Sequence, residues 1–264
     1  MLNVVKAELR KMKRPSLTLI TFAIVAALST LFTSLIFLRL GSASDRPRGR
    51  EMMQSIQSMS RFDGGYYSFT LMGLFIGLIA LTIFASQSSN EYTYGTLRNL
   101  LVRQPSRMKL LAGKFFAMTA FVILLTTSAA IVNIALSYGE SGHAHIDTKL
   151  WLSSKAFTGF FTAYGNMILG TIGYGLVGMS LGIILKSPMS AISISLLWFM
   201  VLENILSAIL SSSAKWLPGN ALSAVSTGGG TVFSYQRGLI VSAAYLLLFG
   251  GIATLLFKRR DVAS

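Results

Sequence analysis

Cysteine is absent from the 264 residues, which excludes disulfides, thiol catalysis and cysteine-ligated metal or iron–sulfur sites. Charge is scarce too: 12% of the residues are Asp, Glu, Lys or Arg, against 53% apolar, far more apolar material than a soluble domain of this size needs to fill one core. No G-x-x-x-x-G-K-[ST] stretch occurs, so the chain has no recognisable phosphate-binding loop, and any nucleotide-driven work requires a partner. Neither a repeat of fixed period nor a separate soluble domain is visible. The chain reads as one transmembrane domain, 1–264, with lipid as its solvent.

The charge that is present is one-sided, with 23 Lys+Arg against 9 Asp+Glu and a net charge of +14. Long uncharged stretches separate the basic residues, which argues for membrane topology and against a nucleic-acid partner. A hydrocarbon core about 30 Å thick needs roughly 20 mostly apolar helical residues. Six runs qualify, at about 15–38, 69–88, 112–138, 159–185, 189–210 and 238–257, so an all-α membrane protein of six transmembrane helices is expected. The first run follows Lys6, Arg10, Lys11, Lys13 and Arg14 but is too long for a signal peptide. With alternating sides, fourteen of the 23 basic residues share a side with both termini and nine fall opposite, which places the termini in the cytoplasm of a bacterial cell.

Two amphipathic patterns lie outside the runs. Leu2, Val5, Leu9 and Met12 recur at helical spacing opposite Lys6, Arg10 and Lys13, which describes a helix lying on the inner leaflet. Met52, Met53, Ile56 and Met59 repeat the pattern in the first outer loop. The last outer segment, 211–237, is too broken to span and too apolar for a plain loop, and fits a short interfacial or re-entrant hairpin.

Several motifs point to chemistry that their setting does not support. Gly173, Gly175 and Gly178 match G-x-G-x-x-G inside the fourth run, where there is no strand-to-helix turn; Gly173, Gly178 and Gly182 read instead as places where helix backbones approach. Ser180 matches G-x-S-x-G near the inner end of that run, whereas His143 and His145 lie in an outer loop beyond its reach, which leaves a membrane protease poorly supported. His143 and His145 with Glu140 and Asp147 lack further metal ligands. Glu203, beside Asn204, is the only carboxylate inside a run; it serves either a pathway or the packing of a neighbouring helix. Asn133 and Asn166 pose the same question.

The most informative stretch is 90–109, between the second and third runs. Gly95 breaks the preceding helix, Thr96 can cap a new one, Leu97, Leu100 and Leu101 line one face beside Arg98 and Arg103, and Pro105 stops it before Ser106 caps the next helix. Glu91 stands where it can pair with a nearby arginine. The result, at about 95–104, is either a peg for a groove in a soluble partner or an ordinary capped loop.

Glu91-x-x-x-Gly95-Thr96-Leu97-Arg98, followed by Leu101, Pro105, Ser106-Arg107 and Lys114, resembles the ATP-binding-cassette type-2 transporter permease family. Six spans, the basic N-terminal helix, Leu217-Pro218 and the terminal Phe257-Lys258-Arg259-Arg260-Asp261-Val262 extend the resemblance over the chain. It implies a non-catalytic export subunit whose short helix couples to a separate ATPase. It further implies two such ATPases, a second permease chain, identical or homologous, and ATP-Mg bound only by the partner, with no cofactor on this chain. A gradient-driven transporter or channel is the alternative; of the charges such proteins hold near the midplane, this sequence offers Glu203 alone.

Overall fold

Lipid offers no hydrogen-bond partners, so apolar runs of this length must close their backbone bonds internally. The computed structural model describes residues 2–44, 49–210, 214–230 and 233–259, apart from the side chains of 42–44, 49–53 and 103. Among these residues there is no strand. The helices are α1 (Leu2–Met12), α2 (Pro15–Ser44), α3 (Gly49–Met59), α4 (Gly64–Leu71), α5 (Gly73–Thr93), α6 (Leu97–Arg103), α7 (Arg107–Glu140), α8 (Ser154–Leu185), α9 (Pro188–Leu197), α10 (Glu203–Ile209), α11 (Pro218–Thr227) and α12 (Tyr235–Arg259). A π-helical stretch, Trp198–Leu202, joins α9 to α10. Six helical stretches are long and apolar enough to cross a membrane: α2, α5, α7, α8, α9 through α10, and α12.

The centre of the bundle is α5 against α8. In each, 61% of the most apolar window is buried, against 17% in α2, α9–α10 and α12, whose outer faces are left for lipid. Small residues set this contact. A Cβ on Gly182 would lie 2.6 Å from the Ala85 carbonyl oxygen, and one on Gly178 would collide with the Leu81 carbonyl. Gly77 leaves room for the ring of Tyr174, which is fully buried. Because lipid supplies no hydrophobic drive between helices, such close backbone approach is what makes their packing favourable. Gly173 serves a third helix, since a Cβ there would meet Leu222 of α11 at 2.5 Å.

The chain's two faces follow from the contacts. On one lie α1, α6, the start of α7 and the end of α12; Arg107 Nη1 donates to the carbonyls of Phe257 and Lys258 at 2.9 and 3.2 Å, closing the last turn of α12. On the opposite face α3 packs on the 141–152 segment. Trp151 Nε1 donates to the Met59 carbonyl at 2.9 Å, in a small core with Phe37, Leu40, Ala144 and Ile146.

Some boundaries differ from those expected from hydropathy. The second span runs Gly73–Thr93, and the residues before it form a separate helix, α4, broken off at Met72 where Ser226 of α11 presses on Gly73. The third and fourth helices extend to Arg107–Glu140 and Ser154–Leu185, because their polar ends stay helical after leaving the apolar stretch. The short helix at 95–104 contracts to Leu97–Arg103, since Gly95 takes φ +63° and ends the preceding helix. Met59 turns into the core around Trp151, with Ile56 packed on it, and does not rest on a membrane surface. The side chains of Met52, Met53 and Arg103, and residues Arg260, Asp261 and Val262 of the C-terminal motif, lie outside what is described.

Candidate functional site

The side of α6 that the sequence offers to a partner is the side the bundle uses. Leu97 is 7% exposed and belongs to the main core, and Leu100 and Leu101 pack against that core. The outward positions are Tyr94 and Val102, 74% and 76% exposed, with Arg98, Asn99 and Pro105 also exposed. The leucines seat α6 on the membrane domain, while Tyr94, Arg98 and Val102 face away. Thr96 makes no side-chain capping bond, because its backbone is helical (φ −82°, ψ −10°) and does not aim the hydroxyl at the first turn. Ser106 is extended and accepts from the Lys109 N–H at 3.5 Å.

At the end of α5, shortly before α6 in the chain, lies a buried ion-pair network. Glu91, in the last turn of α5, accepts Lys114 Nζ of α7 at 2.6 Å and Lys11 Nζ of α1 at 3.2 Å. Glu8 of α1 closes the ring, at 2.8 Å from Lys11 and 3.3 Å from Lys114. Lys114 also donates to the Gln87 carbonyl at 3.3 Å. Two anions and two cations cancel, and each buried charge has two ionic partners, the condition under which charges survive away from water. The partners of Glu91 are lysines, not the arginine expected, because Arg107 is drawn to the end of α12.

The network ties three helices into one body. Val4 of α1 fits over Gly113 of α7, where a Cβ would lie 2.6 Å from the valine methyl. The face of α1 on the bundle therefore carries Val4, Glu8, Lys11 and Met12, rotated from the all-apolar stripe, while Lys6, Arg10 and Lys13 point outward. Sequence reading missed Glu8. Its signal was its isolation: it is the only acid among the first 44 residues, inside a basic helix. Burial pulls the Lys11 ammonium down, but hydrogen bonding and attraction from Glu8 and Glu91 more than offset this and hold it above its ordinary value of 10.5.

Glu203 belongs to a second polar centre, within the fifth span. Its carboxylate accepts Trp198 Nε1–H at 2.6 Å, Gly219 N–H at 2.8 Å and Asn220 N–H at 3.1 Å. The π-helical turn places residues five apart above one another, which brings Trp198 and Glu203 together. Gly219 and Asn220 are the second and third residues of α11, so Glu203 caps the start of that helix from another element, where the helix dipole favours an anion. Tyr174 completes the site by donating to the Gly219 carbonyl at 3.1 Å. Asn204 points the other way, exposed on the outer face, and donates to the Met200 carbonyl at 2.8 Å.

The remaining expected polar residues divide plainly. Asn133 accepts from Thr33 at 2.8 Å, joining α2 to α7, and Asn166 accepts from Tyr235 at 2.9 Å, joining α8 to α12. The Ser180 hydroxyl donates to its own helix at the Leu176 carbonyl, 2.8 Å away. Glu140 accepts from Ser34, and no group of three or more metal-ligating side chains forms around His143 and His145 among the described residues. Compared with curated proteins, the chain matches none. Residues 48–263 match a family described as "protein of unknown function (DUF2705)", and the chain belongs to that family.

Proposed function

We propose that the chain is the permease subunit of an ATP-driven bacterial exporter, forming half of a translocation pathway in the cell membrane with a second permease chain and driven by two separate ATPase subunits that alone bind ATP-Mg. The observation that carries this is the seating of α6: a two-turn helix between the second and third spans, leucines down on the core, Tyr94, Arg98 and Val102 outward, following closely on Glu91, whose ion-pair ring joins the end of α5 to α1 and α7. The resemblance around Glu91, Gly95 and Arg98 supports the same reading. A push on α6 would be passed to the ends of three helices together, the mechanical need of a subunit moved by a partner.

In this reading Tyr94 and Val102 supply apolar contact and Arg98 steers and orients the ATPase, with the termini in the cytoplasm. The gradient-driven alternative relied on Glu203 as a titrating intramembrane group. Two hydrogen bonds from the start of α11 and one from Trp198 occupy that carboxylate and favour a structural role for it.

The test is co-expression with candidate ABC-type ATPase subunits. Wild type retains one through purification. Tyr94→Asp with Val102→Asp releases it while leaving the elution profile and melting midpoint in place, and Leu97→Asp lowers the midpoint. Retention by the double variant, or transport by the chain without any ATPase, contradicts the reading.

A further inference from the structure

On the face opposite α6, two stripes of side chains confront one another across an open groove of about 610 Å³, a size typical of small-molecule sites. On α8, Lys155, Thr158, Thr162 and Asn166 recur at helical spacing, with Gly159 between them leaving room for the Tyr66 hydroxyl. On and just before α4, Asp63, Tyr66, Tyr67 and Thr70 do the same.

The depth of the groove follows from helix length. The 32 residues of α8 extend about 48 Å at 1.5 Å per residue, whereas the hydrocarbon core is about 30 Å thick. The other end of α8 closes at Lys186 beside Thr93, on the α6 face. A surplus of roughly twelve residues by the same arithmetic extends α8 beyond the hydrocarbon, and the stripe begins with Lys155 at the end away from α6, toward the headgroups.

The groove holds both signs of charge without neutralising them. Asp63 Oδ1 is buried and has no hydrogen-bond partner, and although Asp63 stands at the cap position of α4 its side chain does not cap the helix. The Asp63 carboxylate thus keeps acceptor capacity that no described group of the chain uses. Lys155 Nζ sits 4.5 Å from the centroid of the Phe62 ring. Neither residue takes part in the ion pairs found among the described residues. A purely anionic guest would meet the Asp63 carboxylate, and a purely cationic one would meet the Lys155 ammonium. A guest carrying an amine and a phosphate satisfies both.

We propose that this groove binds a zwitterionic amine–phosphate group, its phosphate on Lys155 and its ammonium on Asp63 between the Tyr66 and Tyr67 rings, supplied at this depth by the headgroup of phosphatidylethanolamine. The site stands independently of the permease reading.

Purified protein is exchanged into nanodiscs holding equal phosphatidylethanolamine and phosphatidylglycerol, and the lipids it keeps are counted by native mass spectrometry. Wild type keeps the ethanolamine lipid in about fivefold excess, the effect of about 1 kcal/mol of preference. Asp63→Asn and Lys155→Gln each reduce its retention. Displacement by soluble phosphoethanolamine supports the site and identifies the free group as a sufficient ligand. Equal retention of the two lipids by wild type, unchanged retention in either variant, or displacement by inorganic phosphate alone overturns the assignment.

Discussion

Removing the Glu203 carboxylate leaves three donors pointing at nothing: Trp198 Nε1–H and the N–H groups of Gly219 and Asn220. Glu203→Ala is expected to cost about 2–4 kcal/mol, the sum of a lost cap and orphaned buried donors, read as a lower melting midpoint by tryptophan fluorescence in detergent. Glu203→Gln, which keeps one acceptor oxygen, is milder. Lys114 carries a comparable burden, since Lys114→Met leaves Glu8 and Glu91 buried with Lys11 as their only shared cation. That substitution is expected to cost about 3–5 kcal/mol, and pairing it with Glu8→Gln to recover part of the loss, a coupling seen in a double-mutant cycle of melting midpoints. At this scale the sequence flagged Glu203 and Glu91 by their rarity near apolar runs. It did not show that Glu203 faces α11 or that Lys11 reaches Glu91, because partners 16 and 80 residues apart leave no periodic trace.

The elements were legible where composition alone decides them. Six apolar runs became six membrane-crossing helices, and Gly95 ended α5 as its freedom to take positive φ requires. Orientation was not legible. Leu97, Leu100 and Leu101 define an apolar face of α6, yet an apolar face suits the bundle as well as a partner, and in the fold the bundle takes it. The same ambiguity hid the rotation of α1, whose docked face includes Glu8 and Lys11 because two charges on α5 and α7 await them. This docking has a pH signature. The folded-state affinity of Lys11 for its proton is raised, so its contribution is fully present below its ordinary value of 10.5 and fades as the pH rises beyond it. Protection of the α1 amides from hydrogen exchange, after correction for the intrinsic rate, is expected to hold steady from about pH 7 to 10 and to fall in stronger alkali. Loss of protection near neutrality would contradict the anchoring.

For the whole molecule, the single crossing by α7 puts Arg98 on one face and Lys149 on the other, and six crossings in all bring α1 and the end of α12 to the face of Arg98. The absence of native cysteine makes this directly measurable. Arg98→Cys and Lys149→Cys are expected to label from opposite sides of the membrane, Lys149→Cys in intact cells and Arg98→Cys only after permeabilisation, as the excess of basic residues on the inner side requires. A photo-crosslinking side chain placed at Val102 probes the proposed ATPase contact at α6. An adduct that contains the phosphate-binding-loop peptides of an ABC ATPase is expected from position 102 and not from the buried position 97. No ATPase adduct from position 102, or equal yield from both positions, would contradict it.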